Sequence, residues 1–262
     1  MADPFTESDS QLLARDISNW ILDYAQAHAI KTLVVGVSGG IDSAVVSTLC
    51  ARTGMPVLAL TLPIRQSQQT HDLSLAHAAW LTKNFINVRH QNIDLGAVFA
   101  ELEKTSRDND LDSDLALANS RSRLRMTMLY QAAQSTAGMV VGTGNRVEDF
   151  GVGFFTKYGD GGVDISPIGG LMKTQVWQLG RELGILDAII SAPPTDGLWD
   201  DGRTDQDQLG MTYAELELAM QQDQYSVWPM DPHQQQCLQA YRKIRARNLH
   251  KMTAIPVYHY EQ

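Results

Sequence analysis

The stretch LVVGVSGGIDSAVV, residues 33–46, constrains the fold more than any other part of the chain. A short apolar run stops at Ser-Gly-Gly, and apolar residues resume after an aspartate and a serine. A short apolar run that is bounded by glycine indicates a buried strand. A strand that passes directly into a helix is the first half of a βαβ unit. The stretch therefore predicts the first strand of a parallel sheet and a helix that covers it.

Strands and helices keep alternating along the chain. Gly54 stands just after the second predicted helix, at a position that tolerates left-handed geometry. Such alternation predicts an α/β fold, a Rossmann-like parallel sheet with helices on both faces. Strands are predicted over residues 32–37, 56–62, 85–93 and 138–142, and helices over residues 10–28, 41–53, 70–83, 112–136, 173–184 and 231–247.

Two segments depart from this alternation. Residues 193–212 are rich in Asp, Gly and Pro, with few apolar residues to anchor them, and predict a mobile surface loop. Residues 221–236 are rich in glutamine and predict a solvated helix or loop.

Composition and charge limit the class of protein. With 262 residues, of which 44% are hydrophobic and 19% charged, the chain can bury a full core, and we expect a single domain over residues 1–262. A net charge of −9 disfavours a surface that binds nucleic acid. The apolar runs are too short to span a membrane, and the acidic start gives no sign of export. Cys50 and Cys237 form no CxxC pair, so we expect a reducing, cytoplasmic location and no structural zinc.

The sequence Ser-Gly-Gly-Ile-Asp-Ser, which follows the first predicted strand, has the properties of an anion-binding loop. The N–H groups at the start of a helix, together with its dipole, attract phosphate oxygens. Gly39 and Gly40 allow the backbone to approach a ligand, and Ser38 and Ser43 supply hydroxyl donors. Asp42 would repel a phosphate unless a cation lay between them, which indicates Mg²⁺. The alternative is that these residues only cap a helix and form a turn.

Other nucleotide-binding patterns are weaker or absent. No lysine follows the glycines, so the loop is not a Walker A loop. GTGNRV at residues 142–147 is similar to a dinucleotide fingerprint, but Val147 replaces its third glycine. Taken alone, that pattern is more typical of a turn without a cofactor.

Longer motifs resemble a known family. SGGIDS is similar to the phosphate loop of the PP-loop ATP pyrophosphatases, which cleave ATP into AMP and pyrophosphate and have an adenine nucleotide alpha hydrolase-like fold. GFFTKYGDGG at residues 153–162 resembles the ammonia-dependent NAD synthetases of that superfamily, and it is the most specific of the motifs. The resemblance continues, from about residue 10 to residue 255, in SPIGGLMK at 166–173, PPTDGLW at 193–199 and HK at 250–251.

The resemblance implies a set of site residues. Between Glu148 and Gly153 the chain reads DFGV, and this segment is one residue longer than in some family members. Without the resemblance, Glu148 and Lys173 are typical of exposed surface residues, and Arg123 of a solvated helix face. Deamido-NAD would be bound by Arg123, Lys157, Asp164, His250 and Lys251. Asp42 and Glu148 would hold Mg²⁺, and the catalytic residues would be Asp42, Lys173 and Asp160. ATP, a co-substrate, would be bound by Gly36, Val37, Ser38, Gly39, Gly40, Ile41, Asp42, Ser43, Thr143, Lys173 and Thr195.

The reaction that the resemblance implies has two steps. The nicotinate carboxylate of deamido-NAD attacks the α-phosphorus of ATP, which releases pyrophosphate and gives an acyl-adenylate. Ammonia then displaces AMP, which gives NAD. Asp160, Asp164 or water could accept the proton from ammonia. From its composition, and apart from the resemblance, we expect the segment over residues 199–212 to close over the adenylate as a lid. The family also implies a symmetric homodimer with the deamido-NAD site at the subunit interface.

Three alternatives are compatible with parts of the sequence. The amidating domain of GMP synthetase and the tRNA-thiolating enzymes share the expected fold. The thiolating enzymes usually need paired cysteines, and the acidic charge disfavours a tRNA substrate. A non-catalytic nucleotide-binding module would need neither Asp42 nor Glu148.

Use of glutamine as the nitrogen source requires a second site with an activated nucleophile, usually a cysteine, so we expect free ammonia to be the substrate.

Overall fold

Four parallel strands form the central sheet of the protein. In the computed structural model, which describes residues 7–199, 202–225 and 229–260, their order across the sheet is β3-β2-β1-β4. Strand β1 is parallel to both of its neighbours, and β2 is parallel to β3. The predicted parallel sheet is therefore confirmed. The strands are β1 (Thr32–Gly36), β2 (Val57–Thr61), β3 (Val88–Asn92) and β4 (Gly138–Val140).

Helices connect and cover the strands. They are α1 (Glu7–Ala27), α2 (Ile41–Arg52), α3 (Gln68–Asn84), α4 (Gly96–Arg107), α5 (Asp114–Ser135), α6 (Lys173–Glu182), α7 (Asp187–Ile190), α8 (Asp205–Leu209), α9 (Tyr213–Tyr225) and α10 (Pro232–Met252). A π-helical segment spans Arg146–Val152. The six predicted helices correspond to α1, α2, α3, α5, α6 and α10, whereas α4, α7, α8, α9 and the π-helical segment were not predicted. Within the ranges that the structure describes, no helix is long and apolar enough to cross a membrane.

The side chains of β1 show why helices cover both faces of the sheet. Leu33 and Val35 pack on one face with α1, α2 and α6. Val34 packs on the opposite face with α4 and α5. All three side chains are fully buried. A strand that is covered on both faces needs an apolar residue at every position, which explains the continuous apolar run in the sequence.

A further layer of helices packs beyond the sheet. Helices α9 and α10 and the π-helical segment share an apolar cluster that includes Val147, Leu216 and Leu238. The prediction of a solvated segment over residues 221–236 is wrong for Gln222, which is 5% exposed in α9. Residues 226–228 of that segment lie outside the described residues.

The segment over residues 193–212 contains a helix that its composition did not predict. Thr204 caps α8, because its hydroxyl accepts a hydrogen bond from a backbone N–H in the first turn of that helix. The prediction of a surface loop with few apolar anchors is therefore wrong for residues 204–211, whereas residues 200–201 lie outside the described part of the chain. Three side chains in this segment are buried: Asp205, Leu209 and Met211.

The strand order determines where a ligand can bind. Strands β2 and β3 lie on one side of β1, and β4 lies on the other. The chain segments that leave β1 and β4 therefore diverge at the carboxyl edge of the sheet and leave a crevice between them.

Candidate active site

The loop after β1 forms one wall of a cavity at this crevice. The cavity has a volume of about 290 Å³, and the segment from Gly36 to Ser43 lines it. Gly39 has a φ of 92°, and a Cβ at this position would lie 2.5 Å from the backbone oxygen of Thr70 in α3. Both the left-handed backbone and the lack of space therefore require glycine here.

Two hydroxyl groups fix the shape of this loop. Ser43 Oγ accepts a hydrogen bond from Ser38 N (3.1 Å) and donates one to Gly40 O (3.0 Å). Ser38 Oγ accepts one from Gly40 N (3.2 Å). The hydroxyls therefore stabilise the loop itself, whereas the sequence had suggested only donors to a ligand. Helix α2 begins at Ile41, so the N–H groups of its first turn, which lack partners within the helix, lie at the loop.

Lys173 lies between two carboxylates from different segments. Its Nζ is 2.5 Å from Asp42 Oδ2 and 2.9 Å from Glu148 Oε1. Only 2% of the Lys173 side chain is exposed. Burial opposes the charge of this lysine, but the two carboxylates outweigh that effect and raise the pKa of Lys173 above its ordinary value. Lys173 is therefore an ammonium ion that joins the segments following β1 and β4.

Asn145 holds the same two segments together. Its Nδ2 donates to Asp42 Oδ1 (3.1 Å), and its Oδ1 accepts from the N–H groups of Val147 and Glu148 (3.0 and 3.1 Å). The side chain is fully buried. One amide thus caps the π-helical segment and aligns Asp42 with it. No functional role for Asn145 followed from the sequence, although the residue is part of the GTGNRV motif.

Tyr213 extends this network to α8. Its hydroxyl lies 2.5 Å from Glu148 Oε1 and 3.0 Å from Asp205 Oδ2. A hydroxyl has one proton, so it can donate to only one of these carboxylates. Burial, with repulsion from Glu148, raises the pKa of Asp205 to about 7, so a protonated Asp205 can donate to the tyrosine oxygen. Asp205 Oδ1 is buried and has no hydrogen-bond partner among the described residues.

Two further carboxylates line the cavity. Asp160 Oδ1 accepts hydrogen bonds from Ser122 Oγ (2.6 Å) and Thr156 N (3.0 Å). Burial raises the pKa of Asp160, and it raises the pKa of Asp149 well above the ordinary value. A Cβ on Gly144 would lie 1.8 Å from a carboxylate oxygen of Asp149. The glycine in this loop is therefore needed to make space for Asp149.

Arg125 is a further cation that lines the cavity. Its Nε donates to Leu62 O (3.0 Å), and an Nη donates to Gln66 Oε1 (3.2 Å). Burial lowers the pKa of Arg125 to about 10, which still leaves the guanidinium charged at neutral pH. Arg121 lies one turn earlier in α5 and packs over a phenylalanine ring, whereas Arg123 is exposed. This is the arrangement that helical spacing predicts for the three arginines.

A wider groove of about 780 Å³ shares part of its wall with the cavity. Lys157, Tyr158 and Lys251 are among its lining residues. Lys251 Nζ donates to Phe155 O (2.7 Å), and burial lowers the pKa of Lys251. Met126 of α5 lines both spaces.

The structure brings the residues predicted for ATP and metal together. All of them line the cavity, as does Asp160: Gly36 to Ser43, Thr143, Glu148, Lys173 and Thr195. Asp149, Asp205 and Arg125, which also line it, were not predicted as site residues. Asp205 belongs to the segment TDQDQLG, whose composition resembles that of an exposed loop.

The residues predicted for deamido-NAD are less tightly grouped. Lys157 and Lys251 line the groove, whereas Arg123, Asp164 and His250 line neither space. Arg123 Nε donates to Lys157 O (3.2 Å), and Lys157 Nζ donates to His250 O (3.3 Å). Asp164 accepts hydrogen bonds from Tyr130 Oη (3.0 Å) and from the backbone N–H of Val140 in β4 (2.7 Å). These three residues are thus connected to the groove wall without facing the groove itself.

Comparison with known proteins identifies the family. The family model described as NAD synthase matches residues 13–254. The chain belongs to the NAD synthase family. The NH(3)-dependent NAD(+) synthetase of Methanosarcina mazei is 34% identical over 247 residues, which cover 92% of this chain and 95% of that protein. The enzyme of the same name from Alkaliphilus metalliredigens is 40% identical over 199 residues, which cover 74% of this chain and 79% of that protein.

A solved structure matches this chain over nearly its whole length. The structure of NMN synthetase from Francisella tularensis matches with a TM-score of 0.85 and 30% sequence identity, and the match covers 98% of this chain and 100% of that one. The family model and the two named relatives confirm the resemblance to NAD synthetases that GFFTKYGDGG indicated.

Proposed function

We propose that the protein is an ammonia-dependent NAD synthetase, which uses ATP to amidate deamido-NAD. The observation that carries this proposal is the cluster of the buried Lys173 with the half-buried carboxylates of Asp42 and Glu148, behind a glycine-rich loop at the switch point of the sheet. The relatives described above that bear this name cover most of the chain.

The reaction requires an activated carboxyl group, because ammonia does not displace oxide from a carboxylate. A nicotinate carboxylate oxygen attacks the α-phosphorus of ATP, which forms an acyl–oxygen–phosphorus linkage and breaks the bond to pyrophosphate. Ammonia then attacks the acyl carbon, AMP departs with the bonding electron pair, and a base takes the surplus proton. The products are NAD, AMP and pyrophosphate.

The residues of the cavity have defined parts in this scheme. The loop and the first turn of α2 would bind the ATP phosphates, with Thr143 and Thr195 as further contacts. Lys173 would offset negative charge on the phosphates during the displacement. Asp160, whose carboxylate is fixed by Ser122, would be placed to accept the proton from ammonia. These roles are supported by the common cavity that the residues line.

Asp42 and Glu148 have the chemistry of a Mg²⁺ site. Carboxylate oxygens are the ligands that this ion prefers, and two of them converge on the point that the Lys173 ammonium contacts. Mg²⁺ bound there would neutralise charge on the phosphate oxygens. The wider groove would bind deamido-NAD through Lys157 and Lys251, with Arg123, Asp164 and His250 supporting its wall.

Assembly and location belong to the same proposal. We expect residues 1–262 to form one synthetase unit that acts in the cytoplasm as a homodimer. The groove is lined in part by the exposed side chains of Tyr158 and Ile255, which a second subunit could cover. Both cysteines are free thiols, as a reducing compartment would leave them. Sedimentation analysis at assay concentration would show a monomer if the dimer part is wrong.

The experiment that tests the function measures NAD, AMP and pyrophosphate from deamido-NAD, ATP and ammonium. We expect the three products in equal amounts. At fixed total ammonium, the rate should rise with pH until another group titrates, because neutral ammonia is the nucleophile. Glutamine freed of ammonium should give no NAD, since burial raises the pKa of Cys50 to about 12 and makes it a poor nucleophile. NAD formation from such glutamine would contradict this account.

A second candidate substrate is nicotinate mononucleotide, the acid from which NMN would be formed. The observation in its favour is the match to the Francisella NMN synthetase over the whole of that chain. Both acids should be assayed side by side with the same enzyme. A higher kcat/KM for deamido-NAD supports the proposed function, and a higher value for the mononucleotide would replace it.

A further inference from the structure

Three side chains with metal-binding atoms meet where α9 and α10 pack together. Glu215 lies in the first turn of α9, and His233 and Cys237 lie in successive turns of α10. His233 Nε2 is 2.7 Å from Glu215 Oε1 and 3.7 Å from Cys237 Sγ. The three donor atoms all lie within 4.8 Å of one another. None of the three residues lines the cavity or the groove.

We propose that this cluster is a binding site for a divalent cation of the zinc type, which the cysteine spacing in the sequence did not lead us to expect. Imidazole nitrogen, thiolate sulfur and carboxylate oxygen are the three donor types that zinc accepts in proteins. His233 and Cys237 are four residues apart in a helix, so they face the same side of it. Glu215 approaches from the neighbouring helix and completes three ligands of a tetrahedron. The proposal is independent of the reaction proposed above.

The observed spacing is close to that of a tetrahedral site. Metal bonds of about 2.0 Å to nitrogen and oxygen and about 2.3 Å to sulfur place nitrogen and sulfur about 3.5 Å apart, and nitrogen and oxygen about 3.3 Å apart. The distance from His233 Nε2 to Cys237 Sγ, 3.7 Å, already fits. Glu215 Oε1 must withdraw by roughly 0.6 Å from Nε2, as expected when a metal replaces the proton between them. Glu215 is 32% exposed and can make this movement.

The surroundings of the cluster favour a bound cation. Thr212 N and Thr212 Oγ1 both donate to Glu215 Oε2 at 2.8 Å, which leaves Oε1 directed at His233. Such outer contacts orient metal-binding carboxylates. Cys237 is 7% exposed within the apolar cluster, whereas the His233 side chain is 67% exposed. Water could therefore reach the fourth position from the open side. Burial and the carboxylates of Glu215 and Asp231 raise the pKa of Cys237, an effect that a cation would reverse.

The position of the cluster links it to the cavity through α9. Tyr213, two residues before Glu215, contacts Glu148. Glu217, two residues after it, accepts hydrogen bonds from Thr174 N and Oγ1 (2.9 and 2.7 Å), beside Lys173. A cation bound by Glu215, His233 and Cys237 would therefore link α10 to the first turn of α9. The same turn of α9 contacts Glu148 and the residue next to Lys173.

The test uses the whole chain, stripped of metal by a chelator, and Co²⁺ as a spectroscopic probe. We expect a sulfur-to-cobalt charge-transfer band in the near ultraviolet, intense visible bands of a tetrahedral ion, saturation at a single equivalent, and displacement by Zn²⁺. Co²⁺ at Asp42 and Glu148 would have only oxygen ligands and would give no sulfur band. Zn²⁺ should also raise the melting temperature of the stripped protein.

Substitutions of the ligands provide the controls. Cys237→Ser should abolish the sulfur band, and Glu215→Gln and His233→Gln should each weaken Co²⁺ binding at least about tenfold. His259→Gln, which alters an exposed histidine outside the cluster, should leave binding unchanged. Circular dichroism confirms that each variant is folded. The proposal is overturned if the folded wild-type chain gives no sulfur band, or if the band persists in Cys237→Ser. The cluster would then be a hydrogen-bonded contact only.

Discussion

Replacing Tyr213 by phenylalanine removes the hydroxyl that joins Glu148 to Asp205. The ring itself is 2% exposed and packs edge-on against Trp177, with ring centroids 5.7 Å apart. Phenylalanine keeps that packing, so the substitution isolates the contribution of the hydrogen bonds.

The magnitude follows from the partners that are lost. A hydrogen bond to a charged group contributes about 1.5–3 kcal/mol, and a buried group left unpaired costs about 1–3 kcal/mol. Asp205 would keep no partner for either carboxylate oxygen among the described residues, because its Oδ1 already has none. Since these contributions overlap, we expect the free energy of unfolding to fall by about 2–4 kcal/mol. For a chain of this length, this corresponds to a decrease of about 4–8 °C in melting temperature.

The assay is thermal unfolding at neutral pH without Mg²⁺, followed by calorimetry. Tyr225→Phe is a matched control, because this tyrosine lies in the last turn of the same helix and is 65% exposed. The control should change stability by less than about 0.5 kcal/mol. Turnover of Tyr213→Phe should also fall roughly tenfold to a hundredfold, because Glu148 loses the group that orients it. Equal melting temperatures for the two variants would refute the reasoning.

Three further substitutions have defined outcomes. Lys173→Met leaves the carboxylates of Asp42 and Glu148 without their cation, so unfolding free energy should fall by about 3–5 kcal/mol. Added Mg²⁺ should stabilise this variant more than the wild type, and an equal effect on both would contradict a metal site at Asp42 and Glu148. Lys83→Met, which replaces an exposed lysine, is the control. The pKa of Asp205, about 7 in the folded state, lies above its unfolded value of about 3.9, so its stabilising effect is lost as pH rises from about 4 to 7. The wild-type free energy of unfolding, measured with urea, should therefore decrease in that pH range with a slope of at most about 1.4 kcal/mol per pH unit from this group. Asp205→Asn should remove this contribution, and an unchanged slope would exclude Asp205 as its source. Asp42→Asn should stay folded while turnover falls by roughly two orders of magnitude or more, and near wild-type turnover at ordinary Mg²⁺ concentration would refute the assigned role.

The sheet and the phosphate loop could be predicted because local sequence determines them. Leu33, Val34 and Val35 are apolar in succession since both faces of β1 are covered. Gly39 is a glycine because its backbone is left-handed and α3 lies against it. In each case neighbouring residues carry the whole physical requirement, so a short motif is sufficient.

Helices α4 and α9 were not predicted, and in both of them burial does not follow polarity. In α4, Val98, Phe99 and Leu102 share one helix face, but only Phe99 of these three is buried, whereas Val98 and Leu102 are exposed. In α9 the polar residues Glu217 and Gln222 are buried together with the apolar ones. A search for an apolar stripe therefore fails in α9.

Tertiary packing alone assembles the charged network of the site. Lys173 has the sequence context of a surface lysine at the start of a helix, yet it is 2% exposed, because Asp42 and Glu148 compensate its charge from elsewhere in the chain. Asp205 joins the same network from a segment whose composition indicates solvent exposure, through the hydroxyl of Tyr213 at the start of α9. Removing charged groups from water costs free energy, which a buried ion pair recovers only when the fold positions the partners well. A cavity that binds phosphate and a cation needs charged groups in such positions. Tertiary packing also assembles the cluster of Glu215, His233 and Cys237. Their spacing matches no CxxC-type metal motif, and only the packing of α9 on α10 brings the three donor atoms within reach of one ion.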